Sequence, residues 1–143
     1  MQAAGYDAYQ RIQAETATPG QLIALLYDAM LRNLSRAETG IEARNLEVAH
    51  DQLLHAQDIV LELMASLDVD AAGDVGALAR QMAPLYEYMY RRLIDASIHK
   101  DAEAVREVRR LILPVRDAWS NALIQYARDA ASGTRTGGDT NGG

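Results

Sequence analysis

Residues 18–31 read TPGQLIALLYDAML, and the chemistry of this stretch decides the fold class. Thr18 has the side chain of a helix N-cap. Pro19 follows where its missing N–H costs nothing, and Gln21 can reach back to complete a capping box. From Leu22 to Leu31 the only charged residue is Asp28. A helix apolar on nearly all sides is usually surrounded by others. The pattern predicts a first helix over about 18–43, packed inside a set of helices.

The rest of the chain supplies the neighbours. Asn45 is a suitable N-cap for a second helix, in which Leu46, Ala49, Leu53, Ala56, Val60, Met64 and Leu67 recur at three- and four-residue spacing. DVDAAGD (68–74) ends it with loop chemistry. A third helix is expected from about Val75 to Ile98, with Val75, Leu78, Met82, Tyr86, Met89 and Leu93 on one face. Asp101 caps a fourth, whose stripe is Val105, Val108, Leu111, Ile112, Val115, Trp119, Leu123 and Tyr126. Pro84 and Pro114 fall inside these helices, where a proline costs on the order of 3 kcal/mol and frees a carbonyl. Both lie on the polar side of their wheels, so kinked rather than broken helices are expected. No stretch alternates as a strand does. The fold class is all-α: an antiparallel up-and-down four-helix bundle over residues 18–131. Residues 1–17 form an N-terminal cap segment whose Tyr6, Tyr9 and Ile12 need somewhere to bury. Residues 132–143 are Gly-rich and expected to be disordered.

Composition narrows the function. The 143 residues suit one domain, contain no cysteine and carry a formal net charge of −6. Disulfides, thiolate metal sites and cysteine nucleophiles are therefore excluded. An acidic chain with interspersed arginines is a poor nucleic-acid ligand, so no nucleic-acid partner is expected. No apolar run reaches the roughly 20 residues that span a bilayer, so no membrane insertion is expected. The opening MQAAGYDAYQRIQ has no basic-then-apolar signal pattern, which leaves the cytoplasm as the expected location.

Catalytic and metal-binding constellations are sparse. Glu47 and His50 have the Glu-x-x-His spacing of di-iron bundles, but neither His55 nor His99 has a glutamate three residues before it. Exposed histidines are the better reading, and no metal or other cofactor is expected. DVDAAGD begins like a calcium loop but lacks the third acidic ligand, and position 79 is alanine where a closing glutamate belongs. No P-loop, dinucleotide fingerprint or GxSxG motif occurs, so an enzyme is not expected.

Two features point instead to binding. Gln57 sits in the middle of the second apolar stripe, either in a satisfied structural network or facing a groove. YEYMYRRL (86–93) places three tyrosines and a methionine within five residues. Tyr86, Met89 and Leu93 fall on the apolar face with Tyr90 at its border, and Tyr88 points the other way. Tyr and Met are core residues most often, yet they also suit an adaptable apolar groove.

YDAYQ (6–10), ETATPGQLIALLYDAML (15–31), HAQDIVLELMASLD (55–68), LYEYMYRRLIDASIHKD (85–101) and RDAW (116–119), in this order, resemble the FliS-type flagellin export chaperones. The resemblance extends from about Tyr6 to Tyr126. It implies a four-helix bundle with an N-terminal segment folded over an apolar groove. It also implies a client, the disordered C-terminal region of flagellin, bound one-to-one in the cytoplasm, kept from premature polymerisation and presented to the flagellar export gate. Carried onto this chain, the cap is Tyr6, Tyr9 and Ile12. The groove is Tyr27, Gln57, Ile59, Tyr86, Met89, Tyr90 and Leu93. Pro84 before the tyrosine motif and Ala29 after LLYD depart from the family pattern without removing a motif. The alternatives are a helical scaffold or dimerisation module with a different client, and a metal-dependent bundle built on Glu47 and His50.

Overall fold

Thr18 opens the first helix as its sequence requires. In a computed structural model describing residues 16–142, with side chains to Gly133, Thr18 Oγ1 accepts from the Gln21 N–H at 3.2 Å. Gln21 Oε1 accepts from the Thr18 N–H at 2.9 Å, closing the capping box. Helix α1 runs Pro19–Glu42 and ends where Arg44 turns into the left-handed region at φ 59°. Asn45 Oδ1 then accepts from the Val48 N–H and starts α2, Leu46–Ala65. Helix α3 spans Gly73–His99, and Lys100 terminates it in the same left-handed conformation at φ 53°. Asp101 Oδ1 accepts from the N–H groups of Glu103 and Ala104 at the start of α4, Ala102–Gly142. Pro84 and Pro114 are exposed, and α3 and α4 continue through them.

Each helix packs against two neighbours, in the ring α1–α2–α3–α4. Cross-helix pairs establish antiparallel register. Gly40 of α1 meets Ala49 of α2, and Ser97 of α3 lies 3.4 Å from His50 of α2. Glu107 of α4 bonds Tyr88 of α3, and Asp28 of α1 bonds Arg116 of α4. The architecture is an all-α, up-and-down four-helix bundle. Its core takes an equal share from every helix: Tyr27, Met30, Leu34 and Ala37; Leu53, Ala56, Val60 and Leu63; Tyr86, Met89, Leu93 and Ala96; Ala104, Val105, Val108 and Ile112.

The structure corrects four positions of the expected stripes, the first being Leu46 at the start of α2, which is 45% exposed. Val75 and Leu78 are 65% and 56% exposed, and Gly76 and Ala79 face inward in their place. A Cβ on Gly76 would stand 1.7 Å from the Ala71 carbonyl oxygen, so the loop before α3 is laid directly on that glycine. Tyr126, the last residue of the α4 stripe, is 76% exposed. The cause is length: α4 has 41 residues against 24, 20 and 27 for α1, α2 and α3. At about 1.5 Å per residue it outruns its partners, and past Ile112 it has no fully buried side chain among the described residues. The α4 backbone is helical to Gly142.

A candidate apolar docking end

The residues expected to line a groove divide into three groups. Tyr27, Tyr86, Met89 and Leu93 lie together in the closed core, each no more than 4% exposed. The Tyr27 and Tyr86 hydroxyls are 2.6 Å apart and form a hydrogen bond across the diagonal of the bundle, from α1 to α3. Burial pushes the Tyr27 phenol above its ordinary pKa. Burial does the same to Tyr86, reinforced by the bond to Tyr27. Both phenols therefore stay protonated at any physiological pH, and each can donate or accept. Ile59 and Tyr90 are half-buried at the margin of this core. Gln57 is half-buried and makes no hydrogen bond among the described residues. Tyr6, Tyr9 and Ile12 lie outside the described residues.

Tyr88 does point away from the core, at 39% exposed. Its hydroxyl donates to Glu107 Oε2 at 2.8 Å, while Arg92 Nε donates to Glu107 Oε1 at 2.6 Å. The Arg92 guanidinium and the Tyr88 hydroxyl hold the Glu107 carboxyl below the usual carboxylate range. Tyr88 thus ties α3 to α4, a role that its position in sequence did not disclose.

Leu46, Val48 and Ile98 are exposed at one end of the bundle, but much of the uncovered apolar surface lies at the other. Here α1 and α3 begin, α2 ends in the 66–72 loop, and α4 extends past its partners. Ile23, Leu26, Met82, Leu85, Val115 and Trp119 pack on the core from this side and are only partly buried. Trp119 Nε1 donates to the Gly20 carbonyl at 2.8 Å, which fixes its ring across the α1–α4 seam. Beyond them Val75, Leu78, Ile124 and Tyr126 are each more than half exposed, with Leu22, Leu61 and Val69 at 39–44%. Apolar surface of this kind marks a binding site more often than chance. Sequence periodicity placed Val75, Leu78 and Tyr126 in the core stripes and so missed this surface. Two signals were there to find it: small residues at Gly76 and Ala79, and a fourth helix longer than the others.

The described residues of this end hold no metal-ligand cluster. No group of three or more His, Asp or Glu side chains converges there or elsewhere among them. Glu47 and His50 are exposed, and no described helix is long and apolar enough to cross a membrane. The family model described as "Flagellar protein FliS" matches residues 1–126. The chain is 36% identical over 124 residues to the flagellar secretion chaperone FliS of Bacillus subtilis (strain 168), covering 87% of this chain and 90% of that protein. It is 34% identical over 122 residues to the flagellar secretion chaperone FliS of Salmonella typhimurium, covering 82% and 88%. Against the flagellar secretion chaperone FliS of Escherichia coli (strain K12) the identity is 33% over 127 residues, covering 85% and 91%. The chain belongs to the FliS family. Its relatives are named as chaperones, not as enzymes.

Proposed function

We propose that this protein is a cytoplasmic export chaperone for flagellin. It binds the disordered C-terminal region of one flagellin subunit per bundle, prevents premature polymerisation, and delivers the subunit to the flagellar export apparatus. The observation that carries this reading, beside family membership, is the uncovered apolar end around Val75, Leu78, Ile124 and Tyr126. An amphipathic guest helix docks through apolar anchors at helical spacing, and Val75, Leu78, Met82 and Leu85 offer it a matching ridge. Gln57, Ile59 and Tyr90 extend the contact along the bundle. Tyr27, Tyr86, Met89 and Leu93 act as its floor rather than its walls. The N-terminal residues Tyr6, Tyr9 and Ile12 cover the apolar surface until the guest displaces them.

Ordering a disordered guest costs on the order of 2–5 kcal/mol, and a long wrapping contact offsets it. Calorimetric titration with a peptide of the last ~40 residues of the host flagellin, long enough for an amphipathic helix to fill a groove, tests the reading. One-to-one binding with a strongly negative heat-capacity change is expected. Absence of binding at micromolar concentrations would leave the bundle with a different client.

A further inference from the structure

Arg91, Arg92, Arg106, Arg109, Arg110 and Arg116 each pair with a carboxylate of the same chain. Arg32 and Arg36 differ: among the described residues neither guanidinium makes an ion pair or a hydrogen bond. They stand four residues apart on α1 and so repel each other on one helix face, while Asp28, one turn before Arg32, is drawn to Arg116. That face is hollowed. With Asp28, Leu31, Ser35 and Arg116 they line a shallow groove on the α1–α4 side. A second hollow continues from Ser35 and Arg36 past Gly40 and Ala43 to Asn45 and Val48, where α2 begins. From Asp28 to Ala43 the trough follows α1 for about 22 Å, roughly four helical turns. Leu31 and the 40%-exposed Val48 give it apolar ground. Asp28, the carboxylate at its edge, is already held by Arg116 at 2.9 Å.

We propose that this trough docks an acidic amphipathic helix of a partner protein. The partner's carboxylates would pair with Arg32 and Arg36, and its apolar residues would rest on Leu31 and Val48. The surface lies apart from the apolar end assigned to flagellin, so the proposal does not depend on that assignment. Charge complementarity selects the occupant. On a chain of net charge −6, two neighbouring cations without an ion pair among the described residues favour an acidic partner in this trough. A nucleic acid is a poorer fit, because a long polyanion reaches the surrounding acidic surface beyond the screening length of about 8 Å. A small anion would leave most of the trough unfilled.

The test uses the full chain and a labelled synthetic helix of glutamates and leucines at helical spacing, read by fluorescence anisotropy. A twin peptide with glutamine for every glutamate is the control. The variants are R32E/R36E and, at an exposed arginine outside the trough, R128E. The wild-type protein should bind the glutamate peptide, more weakly as salt is added, and bind its twin poorly. R32E/R36E should weaken binding by about tenfold or more, as reversal of two pairing charges requires, and R128E should not. Melting curves of both variants should stay near the wild type, because Arg32 is half-buried, Arg36 is exposed and neither guanidinium bonds among the described residues. Equal binding by R32E/R36E, or no binding of the glutamate peptide, would overturn the proposal. So would a wild-type dimer in sedimentation that R32E/R36E abolishes, since the trough would then hold a second copy of the chain.

Discussion

The two ends of the bundle are built from different materials. At the end holding the α1–α2 and α3–α4 turns, small residues let the helices close up: Gly40 meets Ala49, and Ala37, Ala96 and Ala104 are fully buried. A Cβ on Gly40 would lie 3.1 Å from the Ala49 nitrogen and the Asn45 oxygen. Arginines lace the outside of this end. Arg106 reaches Glu42 and Glu103, Arg109 pairs with Glu38, and Arg92 pairs with Glu107. At the other end the residues are large, half-buried and tied across helices by few polar bonds, such as Trp119 to Gly20. The contrast teaches a division of labour. Stability is concentrated where the helices are close, which frees the other end to stay uncovered.

That division can be broken by substitution. The largest effect is expected for Leu34→Ala, which empties a fully buried site and should cost about 2–5 kcal/mol in urea denaturation. Leu78→Ala, at the uncovered end, should stay within about 0.5 kcal/mol. Comparable losses at the two sites would refute the contrast. Next comes the phenol pair. Tyr27→Phe or Tyr86→Phe alone strands a buried hydroxyl and should cost about 1–3 kcal/mol, whereas the double Phe variant should cost less than the sum.

Replacing Val75 and Leu78 together by Ser should leave the melting temperature near its original value. It should weaken the flagellin peptide about tenfold, as expected for the loss of apolar contact on two side chains. Retained affinity would move the docking surface elsewhere. The smallest expected effect concerns acid. Arg92 and then Tyr88 lower the Glu107 carboxyl, and Arg110 and Arg106 lower that of Glu103. Groups with depressed values contribute in full above the unfolded carboxylate range and lose that contribution as pH falls through their folded values. The melting temperature should therefore drop below about pH 4.5, the ordinary carboxylate value, and Glu107→Gln should flatten the drop.

Local chemistry was legible in the sequence wherever a few neighbouring residues decide it. Thr18 with Gln21, Asn45, and Asp101 cap their helices as read, and the order of four apolar stripes gave the bundle. Faces were harder. Periodicity ranks Val75 and Leu78 with Met82, but at that level of α3 the buried face is Gly76 and Ala79, with the Ala71 loop laid on Gly76. Tyr27 and Tyr86 could not be matched from sequence, because their bond joins residues 59 positions apart on helices that are not neighbours in the ring. The end of α4 is a contest between composition and continuation. Glycine in a helix interior costs roughly 1 kcal/mol relative to alanine, and Gly137 and Gly138 sit in its last turns. Amide exchange should be near the unprotected rate from about residue 131 onward, by the same propensity argument.

The Tyr27–Tyr86 bond has a consequence for how many arrangements the interior permits. A core of aliphatic side chains alone can slide or rotate a helix and still find oily contacts. Two hydroxyls that can satisfy each other at one alignment remove that freedom, because every other register of α1 against α3 leaves both without a partner away from water. The pair therefore acts as a key as well as a strut. It holds α1 and α3 in one alignment, where an all-aliphatic interior would allow several.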